Sequence, residues 1–364
     1  MNEDDPHPFS PNHIRTFEGH EDFVKCIAAV DDSGFLSAAG DGTAKLWNAE
    51  TGECIKTCEG GRSCHMVVTK LDNERFIAGF DTLSGNNLIL MNVATGERIR
   101  SFRGHHDSVT IVLRVSDTRF LSGSADCTIK LWDAETGNSI RTFRGHDLGV
   151  MSLDCNNGTT FISGSSDGSV KRWDVDSGDC IQTIDVTMHR LHSLRQDDTF
   201  PLLSATDFIA CMGQTTFLSA SMDISAPMNL WNIDTEHIIR SMETKGVSSV
   251  ASIDDKRALV VEVLPHGISV DLWDVAHVNR NRTFHGHRDN VNSVAILSKS
   301  TFVSASCDNT LMLWEHTSWP CVKHLVLLQK LVIRNRATVS DELSIQAVLC
   351  ELPDGAFCHV LSFL

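Results

Sequence analysis

The chain has 364 residues and a net charge of −16 at pH 7, with an isoelectric point near 5.4. This charge argues against direct binding to nucleic acid, because contact with a phosphate backbone requires clustered lysine and arginine side chains. No segment has the length and apolar character of a membrane span, and the acidic start of the chain lacks the apolar run of a signal peptide.

Residues 1–12 form an acidic stretch without an apolar run, and we predict a disordered tail there. Twelve cysteines in a long chain without a secretion signal predict reduced thiols. The expected location is therefore the cytoplasm, the nucleus or both.

One pattern of polar residues occurs four times along the chain. In each copy a histidine precedes a tryptophan by 27 residues, a serine precedes an aspartate by four, and the aspartate precedes the tryptophan by six. The four sets are His20, Ser37, Asp41 and Trp47; His105, Ser122, Asp126 and Trp132; His146, Ser163, Asp167 and Trp173; and His287, Ser304, Asp308 and Trp314. Fixed spacing of several positions indicates a repeated structural unit.

Short alternations of apolar and polar residues surround these positions and predict β-strands. In the first copy the strands are expected at 24–28, 35–38 and 43–47, and Thr51-Gly52 predicts the turn that follows. A fourth strand comes after that turn. Each unit is therefore predicted to contain four short antiparallel strands.

The Gly-His, Ser-x-x-x-Asp and Trp-Asp spacing resembles that of the WD-repeat family, whose fold is a β-propeller with four-stranded blades. Anchor positions in the third strand recur at Trp47, Met91, Trp132, Trp173, Trp231, Trp273 and Trp314. The resemblance implies an all-β, seven-bladed propeller over residues 13–325.

Blades two, five and six depart from the regular pattern. The residue that opens the second strand precedes the anchor by twelve in the regular units, but by fourteen or fifteen at Phe76, Phe217 and Ala258. Longer connections between the second and third strands are expected there. Blade two also has Gly61 in place of the histidine and blade six has Gly246, so looser blades are expected.

Serine, histidine and aspartate together also raise the alternative of a hydrolase triad. A triad needs one exposed nucleophile beside a base, whereas this trio recurs four times with a tryptophan at fixed spacing. We interpret the four sets as buried structural tetrads, in line with the family resemblance, and predict no catalytic residue.

Cys54, Cys58, Cys64 and His65 are the residues that most nearly suggest a metal site. No pair of these cysteines has the two-residue spacing of a zinc motif, and the group straddles a predicted strand. We therefore expect no metal and no cofactor.

Candidate partner-binding residues fall on the predicted loops. Phe23, Ser108 and Asn290 each follow a Gly-His pair and are expected to line the central funnel. An insertion of about fifteen residues before the second strand of blade five carries a cationic group, for which solvated loop and partner contact are alternatives. The residues are His189, Arg190, His192 and Arg195, with His266 of blade six on the same face.

Two segments compete for the outer strand of blade seven. Residues 14–17 have the right distance to the next histidine, and residues 322–325 have the right distance from Trp314. We favour the amino-terminal segment, because an edge covered by the distant end of the chain is protected from aggregation and locks the ring.

Residues 326–364 predict a helical extension, since apolar residues recur at helical spacing. Residues 352–364 begin with Leu352-Pro353 and resemble the opening of an F-box, as in a truncated copy of that motif. The resemblance implies binding to a ubiquitin-ligase linker protein. An amphipathic helix that caps the propeller is the alternative reading.

The predicted function is that of a non-catalytic scaffold for protein–protein interaction, which presents a binding face built from the loops between blades. The alternative is a substrate receptor of a cullin-type ubiquitin ligase. The expected partners are proteins or peptides, with a basic segment favoured by the charge, and the expected state is a monomer without nucleic-acid or membrane partners.

Overall fold

A computed structural model describes residues 12–60, 66–82, 85–155, 158–186, 207–224, 226–264 and 267–316. The described strands form seven antiparallel sheets of four strands each, so the prediction of a seven-bladed propeller is confirmed. All of these strands lie in a compact unit that spans Met1–Glu315. Within the described part of the chain, no helix has the length and hydropathy needed to cross a lipid bilayer.

The strands follow one another in chain order within each blade, except in blade seven. Blades one to three contain β2 (Val24–Ala29), β3 (Gly34–Ala39), β4 (Thr43–Asn48), β5 (Cys54–Glu59); β6 (Met66–Lys70), β7 (Arg75–Thr82), β8 (Gly85–Asn92), β9 (Arg98–Phe102); and β10 (Val109–Arg114), β11 (Arg119–Ser124), β12 (Thr128–Asp133), β13 (Ser139–Arg144). Blades four and five contain β14 (Val150–Cys155), β15 (Thr160–Ser165), β16 (Ser169–Asp174), β17 (Cys180–Asp185); and β18 (Phe208–Cys211), β19 (Thr216–Ala220), β20 (Met228–Asn232), β21 (His237–Met242). Blades six and seven contain β22 (Val247–Ser252), β23 (Arg257–Leu264), β24 (Gly267–Asp274), β25 (Asn279–Phe284); and β26 (Val291–Ile296), β27 (Thr301–Ser306), β28 (Leu311–Glu315) together with β1 (His13–Phe17).

The buried core of the propeller lies between neighbouring blades. Each of its seven apolar clusters draws side chains from two adjacent blades. At the boundary of blades two and three, Phe102 packs edge-on against Phe120 and Trp132, with ring centroids 4.9 and 5.7 Å apart. Because each sheet buries both faces, a single blade has no core of its own and is stable only within the ring.

The ring is closed by the amino-terminal strand, as the sequence analysis favoured. β1 pairs antiparallel with β28, and Phe17 lies opposite Leu311. Phe17 then packs edge-on against Phe35 of blade one at 5.0 Å. The competing segment, 322–325, and the predicted helical extension lie outside the described residues.

The extra residues of blades two and six lengthen strands, and the expectation of longer loops was wrong for these two blades. β7 and β8 remain paired as far as Thr82 and Gly85, and β23 and β24 as far as Leu264 and Gly267. Continued pairing gives the added backbone groups hydrogen-bond partners within the sheet. In blade five the pairing of β19 with β20 ends at Ser219, so that connection is longer, as predicted.

Side chains on the outer strands connect several neighbouring blades at the rim. Arg141 of blade three donates to the carbonyl of Asp176 in blade four at 2.6 Å. Its side chain crosses Gly178, where an added Cβ would lie 2.5 Å from the Arg141 Cδ and where φ is +84°. Glycine at position 178, in the turn after the third strand of blade four, is therefore required by close approach as well as by backbone conformation.

Candidate functional site: the histidine-loop face

The loop that leads into the first strand of a regular blade carries the tetrad histidine, and we name it the histidine loop. In blade three, His105 Nε2 lies 2.7 Å from Ser122 Oγ, and Trp132 Nε1 donates to the same oxygen at 2.8 Å. His105 Nδ1 lies 2.9 Å from Asp126 Oδ2. Since Ser122 accepts from tryptophan, its own proton is directed to His105 Nε2, and the proton of Nδ1 is directed to Asp126.

The other three predicted tetrads have the same geometry within 0.1 Å, in blades one, four and seven. The structure thus brings together each of the four sets identified from spacing. The tetrad serines are fully buried, with no exposed fraction at Ser37, Ser122, Ser163 and Ser304. A serine with no access to solvent cannot reach a substrate, so this arrangement lacks the exposed nucleophile that a hydrolase triad needs.

The tetrad aspartate clamps the histidine loop to the turn between the second and third strands. Asp126 accepts hydrogen bonds from His105, from the backbone N–H of His106 at 2.9 Å, and from the hydroxyl of Thr128 at 2.5 Å. Burial alone would raise the pKa of Asp126, but these hydrogen bonds outweigh it and hold the pKa well below its ordinary value. The pKa values of Asp41, Asp167 and Asp308 are lowered for the same reasons.

These pKa shifts predict that the propeller loses stability in acid. A carboxylate whose pKa is lower in the folded state stabilises the fold above its unfolded pKa, and this contribution is lost as the pH falls through the folded value. Burial lowers the pKa of His20 below its ordinary value of 6.5, although Asp41 opposes this shift. Because the folded state disfavours protonation of His20, this histidine also reduces the stability of the fold as the pH falls. We expect the midpoint of urea denaturation to fall as the pH drops below about 6.5 and more steeply below about 4.

An Asp126→Asn variant provides the control for this pH dependence. The asparagine does not ionise, so the variant should start less stable and show a shallower fall below pH 4. Equal slopes for the two proteins in that range would contradict the assignment of acid sensitivity to the tetrads.

The clamp leaves the residues after each histidine at the surface. Phe23, Ser108 and Asn290 occupy equivalent positions, three residues after their histidines, and their carbonyl oxygens accept backbone hydrogen bonds from the aspartate turns at 2.7–2.9 Å. Gly149 holds the same place in blade four, which the sequence analysis missed. The predicted partner-binding residues His189, Arg190, His192, Arg195 and His266 lie outside the described residues.

Carboxylates surround this face. Asp107, Asp147 and Asp289 are exposed on the histidine loops, and Asp22 is half-buried there. The sequence signal for this feature is the acidic residue one or two positions after the histidine, which the sequence analysis did not use. Among the described residues, the histidine loops of blades one, three, four and seven therefore each carry a carboxylate.

The central channel has a volume of about 640 Å³. The first strand of every blade lines it. Thr110, Ser248 and Asn292 project from bulges in these strands and donate to the first carbonyl of the next blade, at 2.5, 2.8 and 2.9 Å. These polar groups join neighbouring blades and are not free for a ligand.

Blade five keeps part of a tetrad that the fixed spacing did not reveal. Trp231 Nε1 donates to Ser219 Oγ at 2.8 Å, although the two residues are twelve positions apart, compared with ten in the regular blades. The longer connection in this blade changes the spacing and preserves the contact.

Blade six replaces the tetrad with a buried ionic network. Glu262 and Asp271 are fully buried. Arg280 from the outer strand forms ion pairs with both, at 2.9 and 3.7 Å, and its guanidinium lies 5.2 Å from the centre of the Trp273 ring. Burial and the nearby Asp271 raise the pKa of Glu262, against the opposing effect of Arg280.

The cysteine group considered for a metal is only partly described. Cys54 is exposed and Cys58 is buried, whereas Cys64 and His65 lie outside the described residues. Among the residues that the structure describes, no three histidine, cysteine or acidic side chains are arranged to hold a metal ion.

A closed ring of seven four-stranded blades, with His-Ser-Asp-Trp tetrads in four of them, defines the chain as a β-propeller of the WD-repeat class. The family described as "WD domain, G-beta repeat" (WD40) matches residues 11–48, 96–133, 137–174 and 279–315. The chain therefore contains WD40 repeats, and the resemblance drawn from the spacing is confirmed. Propellers of this family typically serve as scaffolds for protein interaction.

Two curated proteins match a short part of the chain. The chain is 45% identical over 51 residues to "Protein DOA1" of Saccharomyces cerevisiae and 41% identical over 51 residues to "WD repeat-containing protein pop1" of Schizosaccharomyces pombe. Each match covers 14% of this chain, and it covers 7% and 6% of the two relatives. The similarity is thus limited to about one repeat and supports the fold class.

Proposed function

We propose that the protein is a non-catalytic scaffold that binds other proteins through the loops of the histidine-loop face. The observation that carries this proposal is the aspartate clamp, which fixes each histidine loop while leaving the next residues exposed. In blade three the exposed residues are His106 and Asp107, and in blade seven they are Arg288, Asp289 and Asn290.

A fixed loop supports tight binding because little conformational entropy remains to be lost when a partner docks. Asp126 holds the loop through two different groups, the His105 ring and the backbone of His106. The buried blade cores hold the loops of different blades at constant relative positions. A partner can therefore contact several loops at once.

The charge of this face favours a partner with a basic segment. Asp107, Asp147 and Asp289 are exposed on the histidine loops of three different blades. A cationic chain that crosses the face would approach several carboxylates, and the overall charge of −16 would assist its association.

The test is affinity purification with mass spectrometry, using a triple variant with Asp107→Asn, Asp147→Asn and Asp289→Asn. We expect this variant to lose partners that the unmodified chain retains, because it removes three charges from the proposed face. The matched control removes three exposed charges from the turns at the opposite ends of the third strands, with Glu50→Gln, Glu97→Gln and Asp179→Asn. Identical partner sets for both triple variants would contradict the proposed face.

The ubiquitin-ligase alternative depends on residues 352–364, which lie outside the described residues. It stays a prediction from the sequence. The binding face proposed above serves a scaffold and a substrate receptor equally, since either would use it to hold another protein.

A further inference from the structure

We propose that Glu262, Asp271 and Arg280 form a proton-operated latch in blade six, which holds the loop leading into this blade at neutral pH and releases it in mild acid. We name residues 243–246 the blade-six loop. It lies on the histidine-loop face, so the latch makes one part of the proposed binding face dependent on pH. The inference rests on the proposed function for its biological meaning, but the latch is testable on the chain alone.

Glu262 takes the position at which three regular blades have a buried serine. Ser124, Ser165 and Ser306 lie opposite the first residue of the first strand, and each donates to a carbonyl oxygen of its histidine loop at 2.9–3.1 Å. Glu262 lies opposite Val247 in the same register. An acceptor that can change its charge therefore replaces a neutral hydroxyl.

The blade-six loop is attached to the same end of β23. The carbonyl of Gly246 accepts a hydrogen bond from the backbone N–H of Val263 at 2.8 Å. The Lys245 backbone donates to Glu262, and this contact favours the ionised carboxylate. Because Gly246 stands where a regular blade has its histidine, the tetrad clamp cannot form here, and Glu262 supplies the charged attachment for the loop.

The latch buries two carboxylates beside one guanidinium. Glu262 and Asp271 are fully buried, whereas Arg280 is 38% exposed. Arg280 donates to the two oxygens of Glu262 at 2.9 and 3.1 Å and lies 3.7 Å from Asp271. Asp271 also accepts from the hydroxyls of Ser269 and Thr283, at 2.9 and 2.5 Å. A proton on Glu262 makes the buried group neutral and leaves Asp271 hydrogen-bonded, so Glu262 is the carboxyl that accepts the proton.

The latch side chains lie on the face of blade six that packs against blade five. Val260, two residues before Glu262, belongs to the apolar cluster shared by these blades, and Trp273, opposite Arg280, belongs to it as well. The segments of blade five and of the loop around this face carry further charged residues, which are Asp223, Arg240, Glu243 and Lys245.

The surroundings of Glu262 shift its pKa in the direction opposite to that of the tetrad aspartates. Burial and the charge of Asp271 raise the pKa of Glu262 above its ordinary value of 4.5, although Arg280 and the Lys245 backbone oppose this shift. The pKa values of the tetrad aspartates are lowered. As the pH falls, Glu262 therefore takes up a proton from solvent before any tetrad aspartate does.

Protonation of Glu262 weakens both of its attachments. The neutral carboxyl no longer attracts the guanidinium of Arg280, for which Asp271 remains as an ionic partner. It is also a weaker acceptor for the Lys245 N–H than the carboxylate is. Because the pKa is raised in the folded state, protonation of Glu262 favours the folded chain, and the effect is a local release of the loop without unfolding.

The blade-six loop contacts an exposed apolar turn of blade five. A Cβ at Gly246 would lie 2.8 Å from the carbonyl oxygen of Met222 and 3.3 Å from Ile224 Cγ2. Both of these side chains are exposed, and their turn joins the second and third strands at the same end as the histidine loops. Release of the loop therefore changes a surface that a partner can reach.

Hydrogen exchange followed by mass spectrometry tests the latch on the full chain, between about pH 7.5 and about pH 4. The readout is the protection factor of peptides that cover the blade-six loop, with peptides that cover residues 104–108 of blade three as the internal reference. We expect protection of the blade-six loop to fall by roughly tenfold, with a midpoint above 4.5. The reference loop should stay protected, which also reports that the chain remains folded.

Three variants identify the carboxyl responsible. Glu262→Gln should show low protection of the blade-six loop at every pH, because the amide carries no charge to gain or lose. Asp271→Asn should keep the loop closed at neutral pH and move the transition to lower pH, since Asp271 raises the pKa of Glu262. Glu243→Gln is the matched control, because it removes an exposed carboxylate from the same loop and should titrate as the unmodified chain does.

A blade-six loop that stays protected throughout this pH range would overturn the latch. A pH response that persists in Glu262→Gln, or that disappears in Glu243→Gln, would overturn the assignment to Glu262. The triple aspartate variant of the histidine loops retains every latch residue and should show the unmodified response. Its loss of partners tests the scaffold by itself, so failure of the latch and failure of the proposed binding face are distinguishable.

Discussion

Replacing His105 with alanine is expected to lower the free energy of unfolding by about 1 to 3 kcal/mol. The substitution leaves Ser122 without the acceptor for its proton and removes one of the donors to Asp126. Ser122 is fully buried, so water cannot replace the lost partner without a rearrangement of the blade. Urea denaturation followed by tryptophan fluorescence measures the change, since Trp132 belongs to the same network.

The neighbouring residue supplies the control for this prediction. His106 is exposed, and only its backbone N–H contacts Asp126, so His106→Ala should change stability by less than about 0.5 kcal/mol. If the two alanine variants unfolded at the same urea concentration, the tetrad of blade three would contribute nothing to stability.

The regular part of the propeller could be predicted from the sequence because its physical constraints recur. Ser122 and Trp132 must face each other across two paired strands, which fixes their separation at ten residues whenever the intervening turn has the same length. The alternation of apolar and polar residues then places the strands. The fixed Ser–Trp separation and the apolar–polar alternation both involve residues that are close in sequence, so both can be recognised before the fold is known.

The irregular blades could not be predicted in this way, because their contacts come from other parts of the blade. In blade five a longer turn changes the Ser219–Trp231 spacing. In blade six Arg280 on the outer strand donates to Glu262, eighteen residues earlier in the sequence. This pair does not recur at a fixed spacing in other blades, so the sequence pattern does not predict it. In blades two and six the second and third strands pair over additional residues, which the spacing of the repeat alone predicted to be loop.

The same limit applies to the binding surfaces. Phe23, Ser108 and Asn290 could be assigned to equivalent positions on the histidine loops because each follows a recognisable Gly-His pair, and their place beside the funnel stays a prediction.

Substitution of Phe17 by alanine is expected to lower the free energy of unfolding by about 3 to 5 kcal/mol. Phe17 is 1% exposed and packs against both Phe35 and Trp47 of blade one, while its strand pairs with blade seven. The substitution therefore creates a cavity at the place where the chain closes on itself.

Ring closure distinguishes this position from equivalent ones. Phe102 makes the same edge-on contacts at the boundary of blades two and three, but its strand β9 follows β8 of the same blade in consecutive chain. Phe17 lies on β1, which continues into blade one and is held in blade seven only by non-covalent pairing with β28, so loss of this strand exposes the edge of β28. Ile14 of the same strand is 48% exposed, and Ile14→Ala should change the free energy of unfolding by less than about 1 kcal/mol.

Phe17→Ala should in addition show greater proteolysis within 1–17 and concentration-dependent association in size-exclusion chromatography, whereas Phe102→Ala should lose similar stability without associating. Association by both variants would mean that the amino-terminal strand has no special role in closing the ring.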